Sequence, residues 1–206
     1  MSIFGKKSIV GWHVVLLIGS WATVILLPAS SLTTGERHCN IVNENGVVPI
    51  PCDKIAPVDF SRITDDLFIG TTPLTEDYQL LHDLGVHLVI NMRWEHRLRS
   101  DTHAQPLSFL WLRTIDNPLF PIPIRALQRG ALAALETIQA GGKVYTHCAG
   151  GRHRGVAMGA AVLIAQGYSP QEAIALIKAN RPVADPDAFY IRSRIFRFAQ
   201  QWDGAY

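Results

Sequence analysis

The sequence predicts an α/β domain: a central, mostly parallel sheet flanked by helices. Three observations predict it. Short β-branched and apolar runs alternate with stretches of helical spacing along most of the chain. That alternation is the pattern of strands joined by helical crossovers, which are right-handed. The helical stretches also carry their own boundary signals, in Gly85, in Gly141-Gly142 and in Ser169-Pro170-Gln171-Glu172.

The elements follow in order. Leu67-Phe68-Ile69-Gly70 reads as a short strand, and Thr75 to Leu84 as a helix ending at Gly85. Val86-His87-Leu88-Val89-Ile90 has the composition of a buried strand, and Phe109 to Ile115 reads as another. From Pro123 to Ala140 the apolar positions Ile124, Leu127, Ala131, Leu135 and Ile138 keep a helical period until Gly141-Gly142 stops it. Lys143 to His147 is a short strand, and Gly155 to Gln166 a helix rich in small residues. Ser169 and Glu172 form a capping box around Pro170, which opens the next helix. A last helix starts near Asp187 and runs to Gln200.

Composition narrows the function classes. Apolar residues make up 48% of the 206, which excludes a disordered chain. A formal charge of +2 gives no case for a nucleic-acid partner. Cys39, Cys52 and Cys148 lack the paired spacing of a zinc site, so no metal and no cofactor is expected.

The N-terminal part reads separately. Residues 1–8 form a basic tail, and residues 9–27 contain no Asp, Glu, Lys or Arg. That length suits a transmembrane anchor. A cleaved signal peptide ending near Ala29-Ser30-Ser31 is the second reading, and a buried helix the third. Lys6 and Lys7 place the N-terminus in the cytoplasm and the main domain outside it, as a membrane protein or, if cleaved, a secreted one. Residues 28–57 read as a linker, in which Cys39 and Cys52 are either a disulfide pair or two unrelated thiols. The main domain then covers 58–202.

The segment that carries chemistry is Val144 to Gly155. A strand ends at His147, a glycine-bearing loop follows, and a helix begins near Arg154. Such a loop aims backbone N–H groups inward over a helix N-terminus and makes an anion site. Gly150 and Gly151 are the residues expected to take the positive φ angles of the turn. Cys148 opens the loop as a candidate nucleophile in a field that favours its thiolate. Arg154 closes it with a planar fork suited to two phosphoryl oxygens. Asp116, directly after a predicted strand, is the candidate general acid, with Asp101 and Asp185 as weaker candidates.

The run His147-Cys148-x-x-Gly151-x-x-Arg154 resembles the phosphate loop of the protein tyrosine phosphatase superfamily, and the compact layout resembles its dual-specificity branch. The likeness extends from about Val58 to Trp202, through Leu67–Gly70, Val89-Ile90-Asn91 and Arg181-Pro182. It implies the cysteine-phosphatase fold, with Cys148 as nucleophile and His147 orienting the loop. Ala149, Gly150, Gly151, Arg152, His153 and Arg154 would form the cradle, and a phosphorylated protein or another anionic phospho-substrate would be the partner.

One position departs from that pattern. The family has Ser or Thr after the arginine, where this chain has Gly155. The departure keeps open a phosphate-binding module with little turnover, and a rhodanese-like sulfurtransferase is a remote third reading. Arg152 and His153 add positive charge within the loop, a pattern that resembles phosphatases of polyanionic, phosphoinositide-like substrates. Arg93, His96, Arg97 and Arg99 form a basic cluster that reads as a solvated face, with attraction of an anionic substrate as the second reading. Trp94 and Trp111 read as packing residues, and Arg113 as a partner for a surface acid.

Overall fold

The computed structural model describes residues 58–95 and 100–202, together with the backbone of 38–43 and 46–51. It divides into two units, residues 1–56 and 57–206.

In the first unit, β1 (His38–Asn43) and β2 (Gly46–Pro51) pair antiparallel, from His38 opposite Pro51 to Asn43 opposite Gly46. This hairpin stands within the segment read as a linker. Cys39 lies opposite Ile50. Cys52 and the apolar stretch 9–27 lie outside the described residues. Among the described residues no helix is long and apolar enough to cross a membrane.

In the second unit the strands are β3 (Phe60–Arg62), β4 (Leu67–Gly70), β5 (Val86–Asn91), β6 (Ser108–Trp111) and β7 (Lys143–His147). They form one sheet of order β3-β4-β7-β5-β6. β4, β7, β5 and β6 run parallel, and only β3 pairs antiparallel, with β4. Side chains alternate between the faces, as a pleated strand requires. Phe68, Val89 and Tyr145 pack with Tyr78 and Leu81 of α1 (Tyr78–Asp83), which follows a 3-10 turn at Thr75–Asp77. Ile69, Leu88, Ile90 and Val144 pack on the other face, under four helices. These are α2 (Ile124–Gln139), α3 (Arg154–Ala165), α4 (Pro170–Asn180) and α5 (Phe189–Gln201).

The helix α3 is buried from Arg154 to Ile164. It packs on the sheet and also touches α2, α4 and α5. Its Ala and Gly content, which gives no polar stripe, suits an element enclosed on all sides. α4 opens as its capping box predicts: Ser169 accepts from the Glu172 amide, and the Glu172 side chain takes the Ser169 amide.

Two elements differ from expectation. The strand expected over 109–115 stops at Trp111. Among the described residues β6 is an edge strand, and its partner, β5, ends at Asn91. Beyond that register Leu112 and Thr114 stay buried while Arg113 and Ile115 face outward, so the alternation persists without a ladder. β3 was not expected, because three residues are too few to show a period.

Candidate active site

The parallel strands end on one edge of the sheet, where an α/β fold gathers its functional loops. Cys148 follows β7 there and is buried, 2% exposed. Ala149 and Gly150 are exposed, Gly151 is buried again, and α3 begins at Arg154. No side chain caps the start of α3, so its first-turn amides stand open to the loop. Of the two loop glycines only Gly151 takes a positive φ, +57°. Gly150 does not, and a Cβ there would meet nothing within 4 Å. The turn therefore needs one left-handed residue, where the sequence suggested two.

Arg154 reaches back under the loop. Its Nη1 donates to the carbonyls of Thr114 (2.8 Å) and Met92 (3.2 Å), just past the ends of β6 and β5. Its Nε is buried with no hydrogen-bond partner among the described residues, and the Asp116 carboxylate lies 3.5 Å from it. Scaffold carbonyls thus hold one side of the guanidinium and orient the remaining edge.

Asp116 sits above this edge. Its Oδ1 accepts from the Tyr190 hydroxyl at 2.8 Å, and its Oδ2 lies 3.4 Å from His153 Nδ1. Burial, and then the hydrogen bond to Asp116, push the Tyr190 phenol well above its ordinary value, so it remains a neutral donor. Asp185 stands on the far side of His153, 3.8 Å from Nε2, and 3.9 Å from Arg152. The structure therefore brings Asp116 and Asp185 both to the loop.

Further residues brace the loop. Arg181 is 1% exposed. Its Nε donates to the Gly151 carbonyl (2.8 Å) and its Nη2 to Asp59 (2.9 Å). A Cβ on Gly151 would stand 2.6 Å from the Gly70 carbonyl and 2.7 Å from Arg181 Nη2. Thr72 Oγ1 donates to the Cys148 carbonyl (3.0 Å) and accepts from Arg93 Nη1 (3.2 Å). His147 is fully buried, with Nδ1 3.3 Å from the same carbonyl. The Asp185 amide donates to the Arg152 carbonyl.

Sequence reasoning missed Tyr190, Thr72 and the bracing role of Arg181. Tyr190 and Thr72 carry no local motif, the Arg181-Pro182 pair does not show what Arg181 holds, and each acts across a long chain separation. Arg93 is half-buried against the loop, rather than part of a solvated face; His96, Arg97 and Arg99 lie outside the described residues. Among the described residues Arg113 meets no acid: its guanidinium lies 4.4 Å from the Trp94 ring centre and 5.0 Å from that of Trp111.

Asp101 lies elsewhere, near the opposite edge of the sheet. Its carboxylate is 1% exposed and bonds to the Leu107 amide, His82 and His103. The donor atoms of His82, Asp101 and His103 fall within 4.8 Å of one another, a spacing that would suit a metal ion. Their mutual hydrogen bonds already satisfy them.

No family model matches the chain. Mouse dual specificity phosphatase 28 is 29% identical over 135 residues, which cover 65% of this chain and 80% of that protein. Human phosphatidylglycerophosphatase and protein-tyrosine phosphatase 1 is 33% identical over 126 residues, 57% of this chain but only 62% of that protein. The crystal structure of PTPMT1 in complex with PI(5)P aligns with a TM-score of 0.60 and 28% identity, over 69% of this chain and 95% of that one. With a buried loop cysteine, an anchored loop arginine and these neighbours together, the chain is similar to dual-specificity phosphatases of the protein tyrosine phosphatase superfamily.

Proposed function

We propose that the second unit hydrolyses phosphate monoesters through a phosphocysteine on Cys148, acting on a phosphoprotein or a phosphoinositide-like substrate. The observation that carries this reading is Arg154: its Nη1 is tied to two carbonyls, and its buried Nε is left for an anion on the loop that Cys148 opens. A bound phosphoryl group takes two oxygens onto Nε and Nη2 and displaces Asp116 from its 3.5 Å contact with Nε. The Cys148 thiolate attacks phosphorus, and the bond from phosphorus to the leaving oxygen breaks. Asp116 delivers its proton to that oxygen, so the alcohol leaves neutral. Water then attacks the phosphocysteine and gives a proton back to Asp116. The P–S bond breaks, and thiolate and inorganic phosphate are released.

A specific observation favours a second reading, slow breakdown of the phosphocysteine. A Cβ on Gly155 would lie 3.1 Å from the His147 backbone and 3.2 Å from the Cys148 nitrogen. The backbone closes in where the family's hydroxyl residue stands, so the hydroxyl that assists thiolate departure is missing and has little room. Pre-steady-state kinetics with substrate in excess separate the readings: slow breakdown predicts a burst of alcohol followed by a slow steady rate.

The exposed Arg152 side chain supports a polyanionic substrate, as does the similarity to a protein solved with PI(5)P. We also propose that residues 9–27 anchor the chain in a membrane, with the N-terminus cytoplasmic and the catalytic unit outside. The apolar length and the flanking Lys6 and Lys7 support this.

Cys148→Ser tests the mechanism. It should abolish measurable phosphate release while the fold and phosphate binding persist, because a hydroxyl is a far weaker nucleophile at neutral pH. Hydrolysis near the wild-type rate in that variant would remove Cys148 from the reaction.

A further inference from the structure

Large apolar side chains that remain in water gather on one edge of the catalytic unit. Leu119 is 83% exposed, Phe189 73%, Phe120 59%, Leu74 58%, Val183 52% and Trp94 42%. Leu74 follows β4, Trp94 follows β5, Leu119 and Phe120 follow β6, and Cys148 follows β7. Those strands are parallel, so all these loops leave the same edge of the sheet. Val183 and Phe189 stand in the segment that is fastened to the phosphate loop by Arg181 and Asp185, and to Asp116 by Tyr190. Ile115, 38% exposed, also follows β6, and Tyr168, which follows α3, is the one large exposed apolar residue elsewhere among the described residues.

The geometry points to a bilayer-docking face: the apolar tips enter a phospholipid surface, and the basic loop at their centre takes the phosphate of an anionic headgroup. This rests on the phosphatase reading of the same site and names how its substrate is presented.

Three arguments select a bilayer as the occupant. The tips arrive on five separate segments: the loops after β4, β5 and β6, the loop before α5, and the start of α5. A protein hot spot is a packed, contiguous pocket, whereas a lipid interface accepts separate apolar tips while polar groups stay with the headgroups. The charges among them are complementary to lipid phosphate. Arg154 closes the loop that Cys148 opens, Arg93 donates to Thr72, which holds the Cys148 carbonyl, Arg152 has a 62% exposed side chain, and Arg113 lies across the Trp94 ring. The carboxylates Asp116 and Asp185 are held by Tyr190 and by the Ala188 amide. Glu76 and Glu95 are exposed on this edge, so apolar insertion supplies the binding and the arginines supply the headgroup contacts. Finally, the same chain carries the nineteen-residue uncharged apolar stretch at 9–27, of bilayer-spanning length.

The full-length protein tests this on four substrates: a phosphatidylinositol monophosphate in phosphatidylcholine vesicles, the soluble inositol phosphate of the same headgroup, a phosphotyrosine peptide and an activated aryl phosphate. The double variant Leu119→Ser/Phe120→Ser should lower kcat/KM on the vesicle lipid about tenfold or more, given ~25 cal/mol per Å² of apolar area lost from the interface. Its rates on the three soluble substrates should be unchanged. Leu74→Ser, on a different loop, should act in the same sense. Wild-type rates on vesicles in both variants would overturn the docking face. An equal loss on the phosphopeptide would also overturn it, marking a protein-binding surface instead. If the wild type failed on the aryl phosphate, the phosphatase reading itself would fall, and the docking face with it.

Discussion

Gly151 shows how little freedom the phosphate loop has. Its φ of +57° suits glycine, and any Cβ would collide with the Gly70 carbonyl and the Arg181 guanidinium. Asp116 is held as closely, by Tyr190 from one side, with His153 and Arg154 on the other. If Asp116 is the acid, Asp116→Asn should slow an alkyl phosphate by about 10² to 10⁴ and an activated aryl phosphate much less. The alkaline limb of its rate profile should also disappear. Tyr190→Phe should show the same leaving-group dependence on a smaller scale, about tenfold, since it removes one hydrogen bond to a charged group. Rates that fall equally on both substrates in Asp116→Asn would move the acid role to Asp185, on the other side of His153.

At the level of elements, the contrast between α3 and α4 is instructive. α4 starts with a side-chain cap from Ser169, and α3 starts with none, because its amides face the loop. A different device secures the connection before β6. Burial alone would raise the Asp101 carboxyl, but hydrogen bonds from Leu107, His103 and His82 outweigh it and hold it far below the ordinary range. In the unfolded chain it titrates near the ordinary aspartate value of 3.8. Its stabilisation is therefore full above that value and is lost as pH falls toward the lower folded-state one. Asp101→Asn should lower the melting temperature at pH 7 by several degrees, since an unsatisfied buried network costs about 1–3 kcal/mol. The gap from wild type should narrow as pH drops below about 4. A gap that stayed constant in thermal scans from pH 7 to pH 3 would show that Asp101 contributes by packing alone.

On the scale of the whole molecule, the residues proposed for catalysis, Cys148, Arg154 and Asp116, all lie within the unit that starts at residue 57. A chain beginning at Pro57 should stay in solution after high-speed centrifugation and keep wild-type kcat on an aryl phosphate, whereas the full-length chain should pellet with membranes. Loss of the aryl phosphatase activity in the shorter chain would show that residues 1–56 contribute to the site. Protease added to intact cells or spheroplasts should cleave the catalytic unit, as the charge bias at Lys6 and Lys7 implies. Cleavage seen only after lysis would reverse the orientation.

The parallel core of the fold was legible because its signals are local. Leu67–Gly70, Val86–Asn91 and Lys143–His147 are runs whose burial follows from their own composition, and Ser169-Pro170-Gln171-Glu172 marks a helix start within four residues. That one short loop between β7 and α3 carries both Cys148 and Arg154 was legible for the same reason. β3 and the true end of β6 were not, because an edge strand lasts only as long as the neighbour it pairs with. The surroundings of the loop were equally hidden. Arg181 reaches Asp59 across 122 positions, Tyr190 reaches Asp116 across 74, and the Nη1 of Arg154 is anchored at Thr114, 40 positions away. Contacts of that range leave no spacing in a sequence, because a hydrogen bond is specified by where two backbones pass in space, and only the assembled sheet brings those segments together.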